Sequence, residues 1–322
     1  IKAAILNQTK RQSEGYVIAG TLMEQFADKP NGYLLSVPYL SATGNKEAAI
    51  SNLEKGYINT NNNRQILQRL TSLQASEKQF DIVENRINAE LKASPGDEEL
   101  QLLLTKVYLS SNNDDAATSI LQEVVDNDSK SQEAYLTLSQ LYMNKEDKAK
   151  ATAILEDGYV NAKPNRNILV SLSKLEILDK KFDSVESRLQ SELEVTPDDE
   201  ELKLLLSKTY ITNNKVDGAE TLLKEIVSKD TATEEVYLLL YRIYQGKQDL
   251  ESAEALLIKG KKNVPASIKI PLGLAALYEF KSNYSGSIDI YRELHESQPD
   301  NLVVTNNLAA LLSDHGDGKA DL

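Results

Sequence analysis

The stretch "GDEELQLLLTKVY", Gly96–Tyr108, returns 102 positions later as "DDEELKLLLSKTY", Asp198–Tyr210. The same offset relates "NRQILQRL" from Asn63 to "NRNILVSL" from Asn165, and "LEKGY" from Leu53 to "LEDGY" from Leu155. A shorter ruler lies inside it: Ala49, Val83, Ala117, Ala151, Val185, Ala219, Ala253 and Ser287 follow one another at a constant 34-residue step. The long offset is therefore three short ones. A chain that copies itself at a fixed period builds a stack of like supersecondary units, each burying its apolar face on the next.

Between Gln132 and Asn165, Tyr135, Leu138, Leu141 and Tyr142 recur at three-to-four spacing, and Ala151, Ile154 and Leu155 do so again. That periodicity predicts two amphipathic helices. The polar stretch Asn144–Lys150 contains the turn between them, and Ala162–Asn167 leads into the next pair.

This unit resembles the tetratricopeptide repeat. Leu138, Ser139, Tyr142, Ala151, Leu155 and Gly158 stand where that family places Leu, a small residue, Tyr, Ala, an aromatic or aliphatic residue and a small residue. Leu206, Ser207, Tyr210, Ala219 and Leu223 repeat the pattern, as do Leu240, Tyr244, Ala253, Leu257, Gly260 and Pro265. The resemblance implies an all-α, right-handed superhelical solenoid of antiparallel helix pairs. Its frame is one solenoid over 1–322: a partial repeat at 1–29, eight 34-residue repeats at 30–301, and a partial repeat at 302–322. The start at Ile1 without methionine and the half repeat at the end suggest an excised or processed chain whose natural form continues.

Three departures from the pattern matter. The chain has no Trp, so Leu104 and Tyr241 are expected to fill the space near the family's tryptophan position. Pro38 falls inside a first helix and is expected to bend or break it. Gln74 with Glu90, and their copies Glu176 with Glu192, put polar residues where neighbouring repeats carry Tyr and a small residue. Arg86 and Arg188 precede Glu90 and Glu192 by four and can pair with them on a helix, with the side chains expected to tilt toward solvent.

Composition narrows the function. With 36 Lys plus Arg against 49 Asp plus Glu, the net charge of −13 opposes nucleic acid and anionic membranes. Cysteine is absent, which removes thiolate nucleophiles and Cys-ligated metals. His295 and His315 lack partners at ligand spacing, and neither GxSxG nor a phosphate-cradling GxxxxGK[ST] occurs. Asp314–Asp321 lacks a calcium-loop ligand ladder and reads as a turn, as does Asp126–Lys130. The tripeptides at Asn7, Asn127 and Asn283 fit N-x-[ST] by pattern alone. No catalytic residue, metal or cofactor is assigned, and no apolar run reaches membrane-spanning length.

What remains is the inner face of the stack. By the resemblance it is lined by positions 2, 5, 9 and 12 of each first helix. Those positions give Glu99, Glu201 and Glu235 in one row, Lys106, Gln140, Lys174, Lys208 and Arg242 in another, and Leu102, Leu136, Leu204 and Leu238 between them. The charges either satisfy one another between adjacent helices or frame a groove for a protein segment with both acidic and apolar residues. The closing Asn306–Asp317 is similar to the last repeats of bacterial proteins encoded with surface-polysaccharide or exosortase-type export systems. The expected function is a non-catalytic interaction scaffold in a bacterium, in periplasm or cytoplasm. The rival is a regulatory repeat segment of a larger glycosyltransferase or peptidase.

Overall fold

The structure, a computed structural model, describes residues 12–163, 165–229 and 231–315, and contains eighteen α-helices and no strand among them. Asn7 and the stretch from Gly316 onward lie outside the described residues. The chain divides into two compact units, one ending at Leu172 and the other beginning at Ser173. The first unit opens with the Gln12–Gln25 helix and continues through helix pairs such as Glu98–Ser110 with Asp114–Asp126, and Gln132–Asn144 with Lys148–Asn161. The second contains Glu200–Thr212 with Val216–Ser228, Glu234–Lys247 with Leu250–Asn263, and Lys269–Phe280 with Tyr284–Ser297, then the Leu302–His315 helix.

The turns explain why the helices begin and end at a fixed period. Gly44, Lys78, Asn112, Glu146, Lys180, Asn214, Gln248 and Ser282 all have positive φ and follow the same 34-residue step. Only one of the eight is glycine, so the left-handed turn is held by its surroundings rather than by residue preference. In each, the next residue's N–H reaches back to a carbonyl five positions earlier, as in Asn113 to Tyr108 at 2.8 Å and Lys181 to Glu176 at 2.9 Å. This closes the first helix in a Schellman-type bond. The same residue often caps the second helix: Asn113, Asp147, Asp249 and Asn283 accept from the N–H three positions on. Lys181 and Lys215, at the same place, do not.

All eight members of the 34-residue ruler, Ala49 to Ser287, are 0% exposed. They sit where helices approach most closely, which is why the sequence keeps them small. Two separate cores result: Tyr33, Leu53, Ile66 and Leu104 belong to that of the first unit, and Leu223, Tyr237, Leu257 and Leu274 to that of the second.

Tyr33, Tyr135 and Tyr237 occupy the family's tryptophan position in every third repeat, three positions before its Leu. Each packs on a glycine of the following helix. A Cβ on Gly56, Gly158 or Gly260 would stand only 2.5, 2.6 or 2.9 Å from the ring of Tyr33, Tyr135 or Tyr237 respectively. Leu104 and Tyr241 are buried as well, at positions 7 and 8 of their repeats rather than at the tryptophan position.

Two expectations are corrected. The Asn31–Ala42 helix runs through Pro38 rather than breaking there. Burial of Val37 and Leu40 on either side outweighs one missing backbone donor. Gln74 and Glu176 are buried, not turned to solvent. Arg86 donates to Gln74, and to Glu54 at 3.2 Å, while Glu90 accepts from Tyr57 and Asn62. Arg188 donates to Glu176, which also accepts from Ser184 at 2.9 Å. A polar residue at a core position thus finds its partners on neighbouring helices.

Candidate functional site

The inner faces are described unit by unit. In the first, Glu99 accepts from Gln68 at 2.6 Å and stands 3.5 Å from Arg64. Lys106 pairs with Glu133 of the next repeat at 3.0 Å, and Gln140 donates to Asn144. Leu102 and Leu136 are half-buried. In the second, Lys208 pairs with Glu235 of the next repeat at 2.7 Å. Leu204 and Leu238 are half-buried against the core, while Lys174, Glu201 and Arg242 are exposed. Lys106 and Lys208 therefore spend their charge between adjacent helices, where such exposed pairs contribute about 0–1 kcal/mol. Arg242 makes no ion pair among the described residues.

Concavity lies slightly off the expected stripe. Between the Glu200–Thr212 and Glu234–Lys247 helices opens a cleft of about 430 Å³, lined by Ile211, Val216, Leu239, Arg242, Ile243, Gly246 and Lys247. Its counterpart one repeat on, about 500 Å³, is lined by Tyr241, Gln245, Gln248, Leu250, Ala276, Leu277 and Phe280. The Glu234–Lys247 helix is the wall common to both. Tyr241 is fixed there by donating to the Gly273 carbonyl at 3.3 Å and accepting from Gln245 at 2.8 Å. Phe280 is 74% exposed. Hydrogen bonds from Lys247 to Asp217, and then to Glu220, hold its ammonium charged well above the usual lysine range.

Positions 9 and 12 of the expected stripe supply Ile211, Arg242, Gln245 and Ala276 to these clefts, and of these only Arg242 is among the residues singled out from sequence. The other lining residues stand at positions 6, 8, 10, 13, 14, 15 and 17 of the repeats. One signal was readable: position 13 is Ala42, Ser76, Ser110, Asn144, Leu178, Thr212 and Gly246 in the other full repeats, so Phe280 is the aromatic exception there. The corresponding cleft of the first unit, about 520 Å³, is lined by Ala75, Leu103 and Val107 together with hydroxyls at Thr71, Ser72, Ser76 and Ser110, and with Lys106.

No group of His, Asp or Glu suited to a metal occurs among the described residues, and no described helix is long and apolar enough to cross a membrane.

The sequence profile of the tetratricopeptide repeat matches residues 176–243. No curated protein matches the chain. Among solved structures, the chain is similar to the APC/C hetero-tetramer Cut9–Hcn1, at 12% identity and a TM-score of 0.41 over 94% of this chain and 59% of that one. It is also similar to Naa15/Naa10 bound to HypK-THB, at 14% identity and a TM-score of 0.36 over 97% of this chain and 60% of that one. This chain therefore spans about three fifths of those two. A tetratricopeptide repeat protein from Parabacteroides merdae is 16% identical, with a TM-score of 0.41 over 80% of this chain and 98% of that one. The profile match identifies residues 176–243 as tetratricopeptide repeat, and the same helix pair recurs at one fixed period on either side of it, the architecture of a protein-interaction scaffold.

Proposed function

We propose that the protein is a non-catalytic scaffold that holds a protein segment on the inner face of its second unit, within a bacterial envelope, polysaccharide or secretion assembly. The two apolar clefts that flank the Glu234–Lys247 helix carry this reading, with Phe280 exposed at the edge of one. Apolar side chains in a concave surface supply affinity, and nearby cations orient the ligand. The segment it prefers carries both acidic and apolar residues.

The test is capture from the native host with intact protein, read by mass spectrometry. Reversing Lys174, Lys208 and Arg242 to Glu should abolish capture while leaving the helical spectrum and melting point nearly unchanged, since exposed charges add little to folding. Undiminished capture of the same partner by the triple variant would place binding elsewhere on the protein.

A further inference from the structure

We propose a second site, beyond the inner-face reading and independent of it: a pocket for a small organic acid, with Lys259 and Lys224 to hold the carboxylate and Val227, Leu240, Ala255 and Leu256 to cover its apolar body.

The pocket, about 320 Å³, lies where the second helices Val216–Ser228 and Leu250–Asn263 flank the Glu234–Lys247 helix, and it shares no lining residue with the two inner clefts. That volume is at the small end of the range for ligand pockets, which suits a small molecule.

A pocket of the same build, about 410 Å³, occurs one repeat earlier. Gln190, Leu193, Glu194, Leu206, Tyr210 and Leu222 line it, each 34 residues before Lys224, Val227, Ser228, Leu240, Tyr244 and Leu256 of the later one. The concavity is thus a property of the repeat. The charge is not: an amide and a carboxylate in the earlier pocket give way to a lysine and a hydroxyl, and Lys259 stands where the earlier repeat has Glu225. The same position is acidic again at Glu123, Asp157 and Glu293, and is lysine elsewhere only at Lys55.

Lys259 is half-buried, donates to the Val227 carbonyl at 2.7 Å and makes no ion pair among the described residues. One carbonyl takes one of three ammonium donors, which leaves two donors and the charge for a ligand. Lys224 stands over the Tyr244 ring, 5.6 Å from its centroid, and pairs with Glu220. Carboxylates nearby in sequence are engaged elsewhere: Glu220 also meets Lys247, Glu225 meets Lys203, and Asp249 accepts from the Ser252 N–H. A carboxylate from outside therefore finds an unpaired cation in this pocket and a second lysine in the same lining. The aliphatic side chains around them favour an acid with an apolar body over a mineral oxyanion, which has nothing to bury there.

The probe is hexanoate, observed by ligand NMR with the intact chain, with hexanamide and inorganic phosphate as companions. Hexanoate should bind, and both companions should bind at least about tenfold more weakly. Lys259→Glu installs the acid that other repeats carry, so it should leave the melting point nearly unchanged while weakening hexanoate about tenfold or more, the loss of a charge-assisted hydrogen bond. Lys259→Met keeps the length, removes the charge and should give the same loss, which keeps the test open if the Glu variant does not fold. Equal binding of hexanoate and hexanamide, hexanoate binding that neither variant weakens, or no binding of hexanoate would overturn the site. Phosphate bound as tightly as hexanoate would overturn its assignment to an organic acid.

Discussion

Gln74 with Arg86 in the first unit, and Glu176 with Arg188 in the second, fill the same two positions of the repeat with different chemistry. Arg86 meets a neutral amide and a partly exposed Glu54; Arg188 meets a carboxylate whose side chain is 2% exposed. The third copy of these positions is Tyr278 and Ile290, so both members turn apolar together. The repeat backbone accepts an amide, an ion pair or an apolar contact there, provided each polar atom keeps its partner. The inner clefts vary in the same way, with hydroxyls added to the aliphatic groups in the first unit and aromatic groups added in the second. What the fold requires is confined to a few small residues and turns, which leaves the clefts free to differ.

The largest expected effect separates the two arginines. Arg188→Ala leaves Glu176 buried and charged, and should cost about 3–5 kcal/mol in denaturant melts. Arg86→Ala leaves only a neutral amide short of a donor, at about 1–3 kcal/mol. Equal losses would break the distinction. Glu176→Tyr combined with Arg188→Ile, which copies Tyr278 and Ile290, should be near neutral or stabilising.

Glycine substitutions should be smaller. Gly158→Ala drives a methyl into the Tyr135 ring and should cost about 1–3 kcal/mol. Gly246→Ala meets nothing within 4 Å and should stabilise by about 0.5–1 kcal/mol through helix propensity. A neutral Gly158→Ala would mean that the tyrosine interlock of every third repeat is looser than described. The smallest change is Lys181→Asp, which supplies the cap that Asp147 and Asp249 provide elsewhere. It should add about 0.5–1 kcal/mol to the melting free energy.

Much of this was legible in the sequence. The ruler from Ala49 to Ser287 marks close helix contacts because sterics there admit only small or short β-branched residues. Pro38 misled because one lost donor is a local effect and the burial around it is not. Gln74 and Glu176 misled because their arginines lie on the following helix, across a turn, beyond the reach of an i to i+4 reading within one helix. The joint change to Tyr278 and Ile290 was the available clue. For the clefts, helical spacing identified an exposed stripe whose positions 9 and 12 take part in the lining, but they lie between helices and are lined also by positions 6, 10, 13 and 17. Only the pairing of successive repeats brings those together.

The central claim is that the second unit's inner face receives the partner. Amide hydrogen exchange on the intact chain, with and without the partner captured from the host, tests it most directly. The account predicts new protection along Glu234–Lys247 and Lys269–Phe280, with little change in Leu250–Asn263 or in the Thr71–Ser110 cleft of the first unit. Protection confined to second helices such as Leu250–Asn263, or to the first unit, would contradict it.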